Sequence, residues 1–154
     1  MLPLKKLLLS ILTFSVFVTL LSCGKEAAEP SGVFTAVVDG RNFRAEDIQG
    51  IFWSAGDDVD VYAYSDDTNG FWISLAIADV EEGTSYDLAD DEVFIVYYDK
   101  NDNAFFPQNG EISITKLTNT NFQATFEFDG KNFNTGNRVE VTSGVVKVTL
   151  KKEE

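Results

Sequence analysis

From Val33 onward the chain is written in short apolar runs, some alternating and some continuous, separated at near-regular intervals by Gly, Asn and Asp. That rhythm predicts strands rather than helices, and no window of helical length in this region shows a 3.6-residue period. The runs are Val33–Val38, Arg41–Ala45, Ile48–Ser54, Val59–Ser65, Phe71–Ala78, Val93–Tyr98, Glu111–Leu117, Phe122–Phe128, Arg138–Thr142 and Val145–Leu150. Asp39-Gly40 between the first two is a hairpin signal, because a type I′ turn needs positive φ at both central residues. Period-two reading places Phe122, Ala124, Phe126 and Phe128 on one face against Gln123, Thr125, Glu127 and Asp129. Ile112 and Ile114 oppose Glu111, Ser113 and Thr115 in the same way. Val93–Tyr98 is apolar on both faces and reads as a central strand. Phe105-Phe106-Pro107 falls outside these strands and reads as cover for a sheet edge or a barrel end. The expected fold is all-β: an antiparallel β-sandwich or flattened β-barrel of about ten strands.

The segment before this region has a different pattern. Lys5 and Lys6 precede a mostly apolar run, Leu7–Leu21, and the small residue Ser22 leads into Cys23, the single cysteine. Fifteen helical residues reach only about 22 Å, short of a hydrocarbon core of roughly 30 Å, so an export signal is favoured over a transmembrane anchor. Leu20-Leu21-Ser22-Cys23-Gly24 resembles the lipobox of bacterial lipoproteins. The resemblance implies that Cys23 takes a diacylglyceryl group and that the Ser22–Cys23 bond is cut. Gly24–Gly32 is polar, small and Pro/Gly-punctuated, as a flexible tether would be. Gly24 stands where an inner-membrane retention Asp would be. Lys25-Glu26 is similar to the signal that sends Bacteroidota lipoproteins to the outer face of the outer membrane. The implied location is the outer membrane, with the cell surface favoured over the periplasm-facing side. The expected organisation is a removed signal peptide (1–22), a lipidated tether (23–32) and one β-domain (33–154).

The β region itself resembles a group of small uncharacterised Bacteroidota outer-membrane lipoproteins with a single C-terminal β-domain. The shared patterns are Phe34–Phe43, the run Gly110-Glu111-Ile112-Ser113-Ile114-Thr115, a Phe-rich strand, and a Ser-Gly turn into a last strand at Ser143–Val148. All are β-structural, so the resemblance implies a fold and an envelope location and no activity.

Charge and missing residue types narrow the chemistry. The chain carries 12 Lys+Arg against 25 Asp+Glu, and losing Lys5 and Lys6 leaves 10 against 25, a net of −15. So acidic a domain is repelled by nucleic acid and by anionic headgroups; the membrane is expected as a partner only through the lipid anchor. With no His, His-based triads and the usual His zinc sites are excluded. With Cys23 lipidated, no thiol remains to ligate or attack. No phosphate-binding Gly loop is present. The expected function is a non-enzymatic binding or structural module. A carboxylate-dependent glycoside hydrolase is the competing enzyme class, and a lipocalin-like carrier is a further alternative.

Two constellations remain. Asp99-Lys100-Asn101-Asp102-Asn103 resembles the start of a calcium loop, but Ala104 and Gly110 stand where that loop needs Gly and Glu, so a polar hairpin connection is preferred. Weak calcium binding by several acidic loops together (Asp57-Asp58, Asp66-Asp67, Asp87 with Asp90-Asp91-Glu92) is the alternative; apart from the lipid on Cys23, no cofactor is expected. The second constellation is aromatic. Tyr62 and Tyr64 lie opposite the Val59, Val61 and Ala63 face, beside Asp60, and Trp72 is off-phase from Phe71, Ile73 and Leu75. Outward aromatics with a carboxylate neighbour suit stacking on sugar rings, which makes Tyr62, Tyr64 and Trp72 a candidate glycan platform. The competing readings are cross-strand pairing that stabilises the sheet and burial on the other side of a sandwich. A glycan or another envelope protein is the expected partner.

Overall fold

The computed structural model describes residues 32–65, 69–90 and 92–154. The expected export signal, Cys23, the expected tether up to Ser31, Asp66, Asp67, Thr68 and Asp91 lie outside the described residues, and Gly32, read as the end of the tether, opens the first strand. Ten strands form: β1 (Gly32–Val38), β2 (Arg41–Arg44), β3 (Asp47–Trp53), β4 (Asp58–Tyr64), β5 (Gly70–Ala76), β6 (Ser85–Asp87), β7 (Val93–Tyr98), β8 (Ala104–Thr118), β9 (Asn121–Lys131) and β10 (Arg138–Glu153). The one helical piece among the described residues is a 3-10 turn at Ile77–Asp79.

The strands make two sheets that share their longest members. One runs β2-β1-β10-β9-β8-β6 and the other β10-β3-β4-β5-β7-β8. Strand β8 pairs with β7 at Tyr97–Phe105 and Tyr98–Ala104, then continues beside β9. The end of β10, Leu150–Glu153, leaves the first sheet and runs beside Gly50–Trp53 of β3. The result is a flattened, unevenly closed barrel, equally a sandwich whose sheets join where strands cross between them. The pairing is antiparallel throughout except at β3–β10, which is parallel.

The predicted fold class holds, and three local readings change. Arg138–Thr142 and Val145–Leu150 are one strand: Ser143 takes φ +53° and the register shifts between Val141 and Gly144, so the Ser-Gly pair makes a β-bulge rather than a turn. Strand β8 begins at Ala104 rather than Glu111. Phe105-Phe106-Pro107 therefore belongs to a strand, with the irregularity that proline demands placed between Pro107 and Asn109. Strand β6, three residues long, has no counterpart in the hydrophobic pattern. The Asp39-Gly40 hairpin forms as expected, with φ +49° and +74° and Val38 paired to Arg41.

The core lies between the sheets, and the period-two faces meet there. Phe122, Ala124, Phe126 and Phe128 are all buried, as are Val59, Val61, Ala63, Phe71, Ile73 and Leu75. Phe71 is the hub, with ring centroids 5.0 Å from Phe34, Phe43 and Tyr97 and 5.7 Å from Phe126. Because alternate residues of β4, β5 and β7 are committed to this core, the residues between them are presented on the outer face of the second sheet.

Candidate functional site: an aromatic outer sheet face

Register fixes which side chains stand together on that outer face. Tyr62 is paired with Trp72, and Trp72 with Val96; one row along, Tyr64 is paired with Gly70 and Gly70 with Tyr98; one row back, Asp60 is paired with Ser74 and Ser74 with Phe94. The rings of Tyr62 and Trp72 are stacked, with centroids 5.9 Å apart and planes 12° from parallel. Trp72 meets Phe94 edge-to-face at 4.9 Å, Phe94 meets Phe106 at 6.2 Å, and Phe106 meets Phe133 at 5.9 Å. The Lys131 ammonium lies 5.8 Å from the Phe133 ring centre and closes the track with a cation–π contact. Val96 is fully buried although it points to this face and is no part of the core between the sheets. The face thus has a small apolar interior of its own.

Asp60 organises one border of the track. The Trp53 indole N–H donates to its Oδ2 at 2.8 Å and the Trp72 indole N–H to its Oδ1 at 3.1 Å. One carboxylate on β4 therefore sets the orientation of two indoles on the strands that flank it, β3 and β5. At the other border Gly70 is needed for close approach: a Cβ there would fall 2.4 Å from Cδ1 of Tyr64 and 2.7 Å from the Ala63 carbonyl oxygen, so the Tyr64 ring lies over bare backbone. Partial burial and then the Asp60 charge raise the Tyr62 phenol above its ordinary value. Partial burial raises that of Tyr98, with Tyr64 and Asp102 contributing. Each shift keeps the phenol neutral, so the face offers hydroxyl and indole hydrogen-bonding edges beside apolar rings.

The three residues singled out in the sequence, Tyr62, Tyr64 and Trp72, all point outward and are brought together on this face. Tyr62 and Trp72 form a cross-strand stacked pair, and the same pair is part of a larger, partly exposed aromatic surface. The pattern missed Phe94, Tyr98, Phe106 and Phe133. In β7 both faces are apolar and alternation carries no signal; Phe106 had no strand assigned to it, and Phe133 sits in the β9–β10 turn. Trp53, 36% exposed, was also passed over, although it is off-phase from the buried Ile48, Gly50 and Phe52 of its strand.

The Asp99–Asn103 connection is arranged as a turn held by its own first carboxylate. Asp99 Oδ1 accepts the backbone N–H of Asn101 at 2.8 Å and of Asn103 at 3.0 Å, and the Asn103 side-chain amide donates to both carboxylate oxygens. This is the polar connection between β7 and β8. Desolvation pushes the Asp99 carboxyl up, but the bonds from Asn103 and Asn101 outweigh it and hold the group below its ordinary value. Among the described residues no three Asp, Glu, His or Cys side chains are placed to hold one metal ion.

No curated protein and no solved structure matches the chain. A family model does match: a domain of unknown function (DUF6252) covers residues 30–148, from just before β1 to well into β10. The matched span takes in the whole two-sheet domain apart from the last residues of β10, and the chain belongs to the DUF6252 family.

Proposed function

We propose that the protein is a lipid-anchored module of the cell envelope that binds glycan through the outer face of its second sheet. The observation that carries the reading is the continuous aromatic track from Tyr62 through Trp72 and Phe94 to Phe106, oriented at its border by the Asp60 carboxylate. A saccharide chain has apolar ring faces that pack on aromatic side chains and hydroxyls that exchange hydrogen bonds with carboxylate, phenol and indole groups. It is also a neutral partner, suited to a domain whose net charge repels polyanions. The lipidated end is Cys23, and the nine-residue path from Cys23 to Gly32 spans at most about 30 Å, which keeps the domain close to the outer membrane that holds it. Exposure at the cell surface gives such a face access to environmental polysaccharide.

The alternatives have weaker support. A lipocalin-like carrier needs a hollow interior, and the space between the sheets is occupied by the mutually packed rings of Phe34, Phe43, Phe71, Tyr97 and Phe126. For a carboxylate-based hydrolase, Asp99 does not qualify as the acid, because that role needs a raised pKa and its carboxyl is shifted downward.

Two experiments test the two halves of this reading. On a neutral-glycan array the wild-type chain should bind, and Tyr62→Ala and Trp72→Ala should lose the signal; unchanged binding by both variants removes the aromatic face from the function. For the anchor, Cys23→Ser should leave the precursor uncut and unlabelled by radioactive palmitate, and normal labelling would refute lipidation.

A further inference from the structure

A second feature lies at the rim of the same sheet, beyond the row of Tyr64 and Tyr98. The tip of the β1–β2 hairpin, Asn69 just before β5, and the β7–β8 connection line a cleft of about 530 Å3, within the roughly 300–1,000 Å3 of small-ligand sites. Its walls carry the side chains of Arg41, Asn42, Asn69, Tyr97, Asp99 and Lys100, with Asp39 and Asn101 completing them.

The state of these groups defines what the cleft can take. Both carboxylates are committed to the backbone: Asp39 Oδ1 accepts the Glu140 N–H at 2.9 Å, and Asp99 is held by Asn101 and Asn103. Arg41 and Lys100 are exposed, and among the described residues neither forms an ion pair. Among the described lining residues two cations face two carboxylates, so their formal charges cancel. Tyr97 is buried to 6% exposure, and burial raises its phenol above the ordinary value. A side-chain hydrogen bond with Asn69 acts in the opposite sense without cancelling the shift. A cleft whose lining charges cancel, with guanidinium, ammonium, amide and phenol groups beside carboxylates whose orientation is fixed by backbone N–H groups, matches a ligand dense in hydroxyls, each able to give and take a hydrogen bond.

We propose that this cleft is a subsite for the terminal unit of a neutral saccharide whose following units lie along the aromatic face. The continuity is built into the strands. Tyr97 points into the cleft and Tyr98, the next residue, points to the outer face beside Gly70, so one strand end serves both surfaces. The assignment of a saccharide rests on the glycan reading above, while the cleft is assembled from different residues and can fail separately.

The test uses the detergent-solubilised full chain on an array of neutral glycans, followed by calorimetric titration with the neutral tetrasaccharide bound best. The triple variant Arg41→Ala/Asn42→Ala/Lys100→Ala changes exposed side chains only and should keep the wild-type melting temperature. Its affinity should fall at least about tenfold, as the loss of several hydrogen bonds, some charge-assisted, implies. Trp72→Ala should weaken the tetrasaccharide but leave binding of the matching terminal disaccharide detectable. Wild-type affinity in the triple variant, with Trp72→Ala defective, overturns the cleft and spares the aromatic face. The reverse pattern overturns the face and spares the cleft. Tighter binding of a glucuronate-terminated analogue, weakening steeply with salt, overturns the neutral assignment. Absence of any bound neutral glycan overturns both.

Discussion

Replacing Phe71 with alanine removes the ring about which the interior is arranged. Phe71 has no exposed surface, and four other rings lie within 5.0–5.7 Å of its centroid: Phe34, Phe43, Tyr97 and Phe126. Truncating a fully buried Phe costs about 3–5 kcal/mol, the lost transfer energy plus the cavity left behind. The upper half of that range applies here, because the neighbours come from β1, β2, β7 and β9 of both sheets and cannot collapse together without disturbing both. Total stability for a domain of this length is about 6–18 kcal/mol, so the variant should fold but lose a large share of its margin. Phe71→Leu keeps most of the apolar volume and forfeits the edge and tilted ring contacts, for an expected cost of about 1–2 kcal/mol. Urea unfolding of purified wild type and both variants measures this, with the midpoint falling in the order wild type, Leu, Ala at constant slope. A loss under about 1.5 kcal/mol for Phe71→Ala, or equal losses for the two variants, would refute the claim that Phe71 is the packing hub.

Two further perturbations probe local geometry. Gly144 sits opposite Phe126 at the β10 bulge, where a Cβ would lie 2.5–2.6 Å from three atoms of the Phe126 ring; Gly144→Ala should cost about 1–3 kcal/mol of stability by the same urea assay, and a neutral result would show that the ring has room to move. Asp99 is ionised more readily in the folded chain than its ordinary value of 3.8, so its bonds to Asn101 and Asn103 contribute stability above that pH, lost as pH falls through the lower folded value. Asp99→Asn should therefore be less stable than wild type at neutral pH, with the gap closing below about pH 3.8; a gap that is independent of pH would contradict the linkage.

Much of the fold was legible because burial in a two-sheet domain leaves a period-two trace. Phe122 to Phe128 shows it most plainly: four alternate residues were assigned to the core and all four are buried. Two limits on legibility have physical causes. A bulge and a turn draw on the same residues, since both need a positive φ, so Ser143-Gly144 reads as a chain reversal while the chain passes straight on. Pairing between distant strands has no local signature, and the parallel seam of β3 with the end of β10 could not be read from either segment alone. The candidate site divides in the same way. Tyr62, Tyr64 and Trp72 stood out because each breaks the phase of a strand whose other face is plainly core. Phe94 and Tyr98 did not, because β7 is apolar on both sides. The rim cleft is assembled from three separate stretches of chain, and only the three-dimensional arrangement unites Arg41 with Tyr97 and Lys100.

The measurement that bears most directly on the proposed function is binding of the Trp72→Ala variant to the neutral polysaccharide that wild type retains in affinity electrophoresis. Trp72 touches Tyr62, Phe94 and Asp60 at once, and its indole is only partly buried. The account predicts loss of retardation by a chain that stays folded, with stability lowered only by about 1–3 kcal/mol for the lost ring contacts and the Asp60 hydrogen bond, because the residue lies outside the core between the sheets. Wild-type retardation of a folded Trp72→Ala chain would contradict it, and the aromatic face would then serve only to brace the sheet.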